Sequence, residues 1–256
     1  MRAALLACLL PAAALGTPHL LPYTYSYATN PGGAFEVEQY VDFTPVPVFD
    51  AMGNRFLSPR GILTTELEYG LTDRLELGFY FQLSTDTAAG TGDIPLQLDG
   101  VKQRARLRLA DAGEWPVDVS LYLEVAELAT EVELEGKVNL ERRFGSLTLL
   151  ANLWGEREWY YRGVSEWVLN PTGGVSWQLT PALHLGLEYW MRWEFGGPAN
   201  MVQPAHHFIG PALLLQGKQV WLAVAPYLRL DGWNVAGQIG DQYGRVWIRT
   251  IIGVEL

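Results

Sequence analysis

The chain has one cysteine in 256 residues, Cys8, so it carries no disulfide framework, no redox pair and no thiolate metal centre. Basic residues are also scarce. With 18 Lys and Arg against 28 Asp and Glu, the formal charge is −10, and the chain lacks the basic stripe that phosphate binding requires. Nucleic acid is therefore excluded as a partner. No run reaches the roughly 18 uncharged apolar residues of a membrane-spanning helix, although 49% of the residues are apolar. If this chain meets a bilayer, strands must cross it.

Residues 1–16 have the form of a secretory signal peptide. Arg2 supplies a positive start, an apolar run follows, and Ala14-Leu15-Gly16 offers small residues for cleavage before Thr17. Leu5-Leu6-Ala7-Cys8 has the look of a lipoprotein box, but too few residues precede it to make an apolar core. Residues 17–33 are rich in Pro, Tyr and Gly without a usable period, and read as an irregular N-terminal arm that either plugs a lumen or hangs free of it.

From residue 34 to 256 the dominant signal is period-two alternation. Leu63, Thr65, Leu67 and Tyr69 interleave with Thr64, Glu66 and Glu68; Gly70-Leu71-Thr72-Asp73 turns the chain; Leu75, Leu77, Phe79, Phe81 and Leu83 interleave with Glu76, Gly78, Tyr80 and Gln82. This is a hairpin with one apolar face. The pattern recurs around Gly113, Gly145, Thr180 and Gly217, with an interruption expected at 44–60 and longer loops near Gly90, Tyr161, Pro198 and Gly237. About twelve strands of ten to twelve residues, joined alternately by short turns and longer loops, define an all-β, up-and-down antiparallel transmembrane β-barrel. The segment from Leu71 to Gly78 is echoed from Leu179 to Gly186, matching at Leu, Thr, Leu, Leu and Gly. One turn-and-strand solution is used twice.

Alternation alone also suits a soluble barrel with an apolar interior. Two features favour lipid outside. The apolar face is nearly free of charge over all strands, and Phe43, Tyr69, Trp167, Trp177 and Trp193 fall near strand ends, where interfacial aromatic girdles form. The export signal, the turn Tyr69-Gly70-Leu71-Thr72-Asp73-Arg74-Leu75-Glu76-Leu77-Gly78 and the alternating C-terminal strand resemble Gram-negative outer-membrane β-barrel proteins, in particular the transporter-like group associated with phenol meta-cleavage pathways. The resemblance implies an integral outer-membrane location, outer-membrane lipid as surroundings, and the barrel-assembly machinery as a partner through the strand from Arg245 to Leu256. Such families usually end in Phe or Trp; here Leu256 stands in that place.

The polar face supplies the candidate site residues. Lys102, Arg104, Arg106 and Arg108 form a cationic ladder, and Glu66, Glu68, Glu76, Asp118 and Glu124 lie on strands beside it. The ladder would line an anion pathway if left free, but narrow lumens pair such charges, and pairing is the expectation. Carboxylates outnumber cations about two to one on this face, so an open pore favours cations. Tyr80, Tyr122, Trp154, Trp190 and Trp247 share it and either fill the lumen or line a slot for aromatic solutes. Glu131, Glu133 and Glu135 read as a solvated acidic rim, lacking the loop pattern of a calcium site. His206 and His207 have no serine in a recognisable motif, so no catalytic, cofactor or metal residues are assigned and no enzyme is expected. The expected function is a passive channel or transporter for small or hydrophobic solutes. A closed structural barrel with partner-binding extracellular loops is the alternative, and an outer-membrane hydrolase a distant third.

Overall fold

The structure is a computed structural model that describes residues 17–49, 52–85, 96–197, 201–202, 204–231 and 243–256. The signal peptide at 1–16, with Cys8, and the loop positions Gly90, Pro198 and Gly237 lie outside the described residues.

Fourteen strand segments build the wall: β1 (Phe35–Phe49), β2 (Arg55–Gly70), β3 (Leu75–Thr85), β4 (Leu96–Arg108), β5 (Asp118–Leu128), β6 (Glu131–Phe144), β7 (Leu147–Tyr160), β8 (Ser165–Leu169), β9 (Thr172–Thr180), β10 (Leu183–Gly196), β11 (Met201–Val202), β12 (His206–Gln216), β13 (Val220–Arg229) and β14 (Val246–Glu255). They amount to twelve staves. β8 and β9 both lie between β7 and β10, as two halves of one stave split at Asn170-Pro171, and β11 is a two-residue extension paired to the end of β10. Proline has no amide hydrogen for the ladder, which accounts for a break there. β1 pairs with β14 from Glu36↔Glu255 to Phe43↔Ile248, closing an antiparallel barrel.

The alternation read from the sequence has its expected consequence. In β5 the inward set Asp118, Ser120, Tyr122, Glu124 and Ala126 is buried, while Leu121, Leu123 and Val125 are exposed. An exterior of bare Leu, Val, Ile and Phe around a buried charged interior is the inverse of a soluble barrel and is stable only in lipid. No helix among the described residues is long and apolar enough to cross a membrane; the strands do so.

One expectation needs correction. Residues 44–49 and 55–60, expected to interrupt the barrel, continue it: β1 and β2 stay paired through Pro45↔Pro59 and Pro47↔Leu57 to Phe49↔Arg55. Pro45 and Pro47 are two residues apart, so their nitrogens point to the same side, and the pairing of β1 with β14 ends at Phe43. Prolines are tolerated where no donor is asked for. The short connection between Leu128 and Glu131 is present as read.

Candidate functional site

The arm decides the character of the lumen. Residues 17–33 run inside the barrel: Leu21, Thr24 and Asn30 have no exposed surface, and Tyr23, Tyr25 and Tyr27 are buried. Its backbone has no strand partner inside the lumen, so lumen side chains satisfy it. Glu188 Oε1 accepts from the Tyr23 and Thr24 amides at 3.0 and 2.6 Å; Asn152 exchanges two hydrogen bonds with Tyr25, at 2.7 and 2.9 Å. Asn30 donates its amide to Glu76 (2.6 Å) and its side chain to Glu68 (2.8 Å). The arm leaves at the turn end, where the Gly33 amide donates to the Gly70 carbonyl.

Packing supplements these bonds. Tyr23 stacks on Trp190 at 4.6 Å, Trp190 on Phe208 at 4.0 Å, and the Arg249 guanidinium lies 3.7 Å from the Tyr23 ring centroid. Leu21 settles over Gly174 and Gly186, where an added Cβ would come within 2.8 and 2.7 Å of its methyl groups. Gly186 is the last residue of the internal echo, and its counterpart Gly78 does the same for a charge: a Cβ there would meet Arg104 Nε at 2.6 Å. The repeated motif thus yields, on two staves, a lumen-facing glycine that clears space for a bulky neighbour.

The predicted charge residues face inward but separate into groups. In register, Glu68, Gly78, Arg104 and Glu124 form one row across β2 to β5, with Glu66 and Glu76 on the rows beside it. Over Gly78, Arg104 reaches Glu66 (2.6 Å), Glu76 (2.5 Å) and Glu68, and Arg106 reaches Glu76 (2.8 Å), all of them buried. Lys102 belongs to a second group with Glu124 (3.3 Å) and Glu133 (3.5 Å). Arg108 stands apart, 3.3 Å from Asp111 at the turn end, and Asp118 accepts there from the Gly113 amide at 2.7 Å. The four cations share one strand face but do not act as one ladder, because each long side chain reaches carboxylates on its own and the adjacent rows, and the groups so formed are distinct. Outside the barrel wall, the exposed Arg74 and Asp111 pair at 2.8 Å, holding the carboxyl below its usual range.

Several members escaped the sequence reading. Glu36 and Glu38 join Glu66 and Glu68 through the pairing of β1 with β2, which the alternation of β1 could have signalled. His19 and Asn30 arrive on an aperiodic arm that gives no such signal. Asp42 meets Arg249 at 2.8 Å only because β14 closes on β1. His19 lies 3.2 Å from the Tyr40 hydroxyl and 3.4 Å from Glu38. Burial and then the nearby Arg106 charge push its pKa down to about 3, so the ring is neutral.

Above the arm, toward the longer loops, a vestibule of ≈ 480 Å³ opens. Its lining holds eight carboxylates, Asp99, Glu131, Glu133, Glu135, Glu156, Glu158, Glu166 and Glu194, against four cations, Arg60, Lys102, Arg192 and Arg249. Arg192 binds Glu156, Glu158 and Glu194 at 2.7 to 2.8 Å. Tyr23, Trp190 and Trp247 also line this cavity, and Trp154 stands between the vestibule and Lys137, whose ammonium is 3.8 Å from its ring centroid. The predicted aromatics Tyr80 and Tyr122 lie deeper, their hydroxyls 3.3 Å apart. Below the arm, a second cavity of ≈ 240 Å³ borders Thr17, Ser26, Arg143 and His184 at the turn end. His206 and His207 sit at the loop end: His206 Nδ1 is 3.3 Å from Asp231 and 2.7 Å from Arg229, and His207 Nδ1 is 2.7 Å from the Tyr189 hydroxyl. This is a polar clamp on Asp231.

No protein-family model and no curated protein matches the sequence. Among solved structures, an outer membrane channel from Pseudomonas putida F1 is similar over 90% of this chain and 98% of its own, with a TM-score of 0.58 and 13% identity. The translocator domain of autotransporter NalP from Neisseria meningitidis is similar over 88% and 89%, with a TM-score of 0.53 and 13% identity. At that identity the likeness is one of fold. The fold is that of an integral outer-membrane β-barrel, with its apolar belt in lipid.

Proposed function

We propose that this barrel is an outer-membrane channel for small solutes, held closed by its own N-terminal arm and selective for cations when open. The observation that carries this reading is the placement of the arm between two cavities, ≈ 480 Å³ above and ≈ 240 Å³ below. A barrel that served only as scaffold could fill its lumen with wall side chains. Here the filling is a separate segment, fastened by hydrogen bonds that can be exchanged for water. The excess of carboxylates in the vestibule favours cation entry. The similar barrel from Pseudomonas putida F1 is itself an outer membrane channel, which supports the reading.

Within this reading the cargo is a small solute with an aromatic or amphipathic part. Tyr23, Trp190 and Trp247 supply apolar surface at the vestibule floor, and the sequence resemblance to the transporter-like group of phenol meta-cleavage pathways points the same way. Planar-bilayer recording tests the channel. The intact chain is expected to give rare, small, cation-preferring openings, and a chain lacking residues 17–29 a steady larger conductance. Silence from both, with each barrel folded by gel mobility, would leave the closed structural barrel as the function.

A further inference from the structure

The buried ring at the foot of the arm holds more carboxyl groups than basic groups. Glu36, Glu38, Glu66, Glu68 and Glu76 are at most 1% exposed, and the guanidiniums among them are Arg104 and Arg106. His19 is neutral. The single hydroxyl proton of Tyr40 is shared between Glu38, at 2.5 Å, and Glu66, at 2.9 Å. A dry site with this surplus of carboxyl groups is one that a further positive group would stabilise.

Glu36 shows where that group belongs. Its Oε1 accepts from Trp221 Nε1 at 2.5 Å, and its Oε2 lies 3.4 Å from the backbone nitrogen of Thr17. Thr17 is also the residue that follows the small-residue pattern Ala14-Leu15-Gly16. We propose that the chain is cut between Gly16 and Thr17 on export, and that the α-ammonium so created is the cation Glu36 receives, fastening the arm in the lumen. In the cut, a peptidase of the exporting cell adds water across the peptide bond. Gly16 leaves with a carboxylate and Thr17 keeps the nitrogen, which takes up a proton. An amide nitrogen at this position offers Glu36 one neutral N–H; the ammonium offers a full charge and three donors.

The remainder of the seat fits a chain end. Arg106 Nη2 donates to Thr17 Oγ1 at 3.3 Å, and Asn30 Oδ1 is 3.5 Å from the same hydroxyl, so the first side chain is held as well as the terminus. Thr17 and Pro18 border the cavity at the turn end. Docking of the arm would then depend on processing. This inference rests on the docked position of the arm and not on what the channel carries.

Two measurements test it. Mass spectrometry of the N-terminal peptide from protein purified out of the membrane is expected to start at Thr17; a start at any other residue overturns the proposal while leaving the channel reading intact. Chymotrypsin cleavage at Tyr23, Tyr25 and Tyr27 then reports release of the arm. Compared with refolded chain beginning at Thr17, a chain with one extra glycine ahead of it, displacing the ammonium by about 3.8 Å, is expected to be cut about tenfold faster, the worth of a charged hydrogen bond. Glu36→Gln is expected to show the same acceleration, with no further gain from the extra glycine. Equal cleavage rates for the Thr17 start and the extended start would overturn the seat.

Discussion

Removing the charge of Arg104 is the most direct test of what the lumen charges do. Arg104→Met keeps the stem and volume but leaves Glu66, Glu68 and Glu76, all buried, without the guanidinium that binds them at 2.5 to 2.6 Å or closer. Breaking a buried ion pair from one side costs about 3–5 kcal/mol, most of it the penalty of the charge left behind. Three carboxylates share this one cation, although Arg106 still reaches Glu76, so the upper end of that range is expected. With a urea slope of about 2 kcal/mol per molar, the unfolding midpoint falls by roughly 2 M. The assay is equilibrium unfolding in lipid vesicles, followed by the gel-mobility difference between folded and unfolded barrel. Arg104→Lys retains charge but loses the three-way fork, and is expected to fall between the two. An unchanged midpoint for Arg104→Met, together with altered ion selectivity, would refute the pairing and make Arg104 a pore-lining cation.

Other consequences are open to measurement. Gly78→Val places side-chain atoms where Arg104 Nε and Glu66 Oε1 already stand, so it should destabilise by about 1–3 kcal/mol through overpacking, read from the same unfolding curve. Glu131→Gln with Glu133→Gln removes two of the eight vestibule carboxylates; reversal potentials in a salt gradient are expected to shift toward anions, and an unmoved reversal potential would remove the vestibule from the conduction path. His19 docks neutral, with its pKa at about 3 against 6.5 in a released arm. The released state therefore binds the extra proton, and docking weakens by about 1.4 kcal/mol for each pH unit below 6.5 until about pH 3. Channel open probability is expected to rise more on acidification in the parent chain than in His19→Gln; identical pH profiles for both chains would rule His19 out.

Some of this molecule is determined by short-range pattern. Alternation with period two assigns each side chain of a strand to a face, since successive Cβ atoms point to opposite sides. It was therefore enough to place Leu121, Leu123 and Val125 in lipid, to bring Arg104, Glu66 and Tyr80 inside, and to set the number of staves. The turn around Gly70 and its echo before Gly186 were legible for the same reason: turn chemistry is local. The stretch from 44 to 60 was misread because Pro45, Pro47 and Pro59 look like breakers unless one knows which side of each strand lacks a partner.

What only the tertiary structure decided depends on height along the barrel and on contacts between distant segments. Lys102, Arg104 and Arg108 share one face of one strand, yet they meet Glu133, Glu66 and Asp111 respectively, because which carboxylate each side chain can reach depends on the strands packed around it in the closed lumen. The Asp42 to Arg249 pair, 207 residues apart, exists only once the barrel closes. The arm is the clearest case. Residues 17–33 have no period, because inside the lumen their backbone bonds go to the side chains of Glu188, Asn152 and Glu76. A segment held by side chains from across the chain leaves no repeating mark in its own sequence, so its place in the lumen could be read only from the fold.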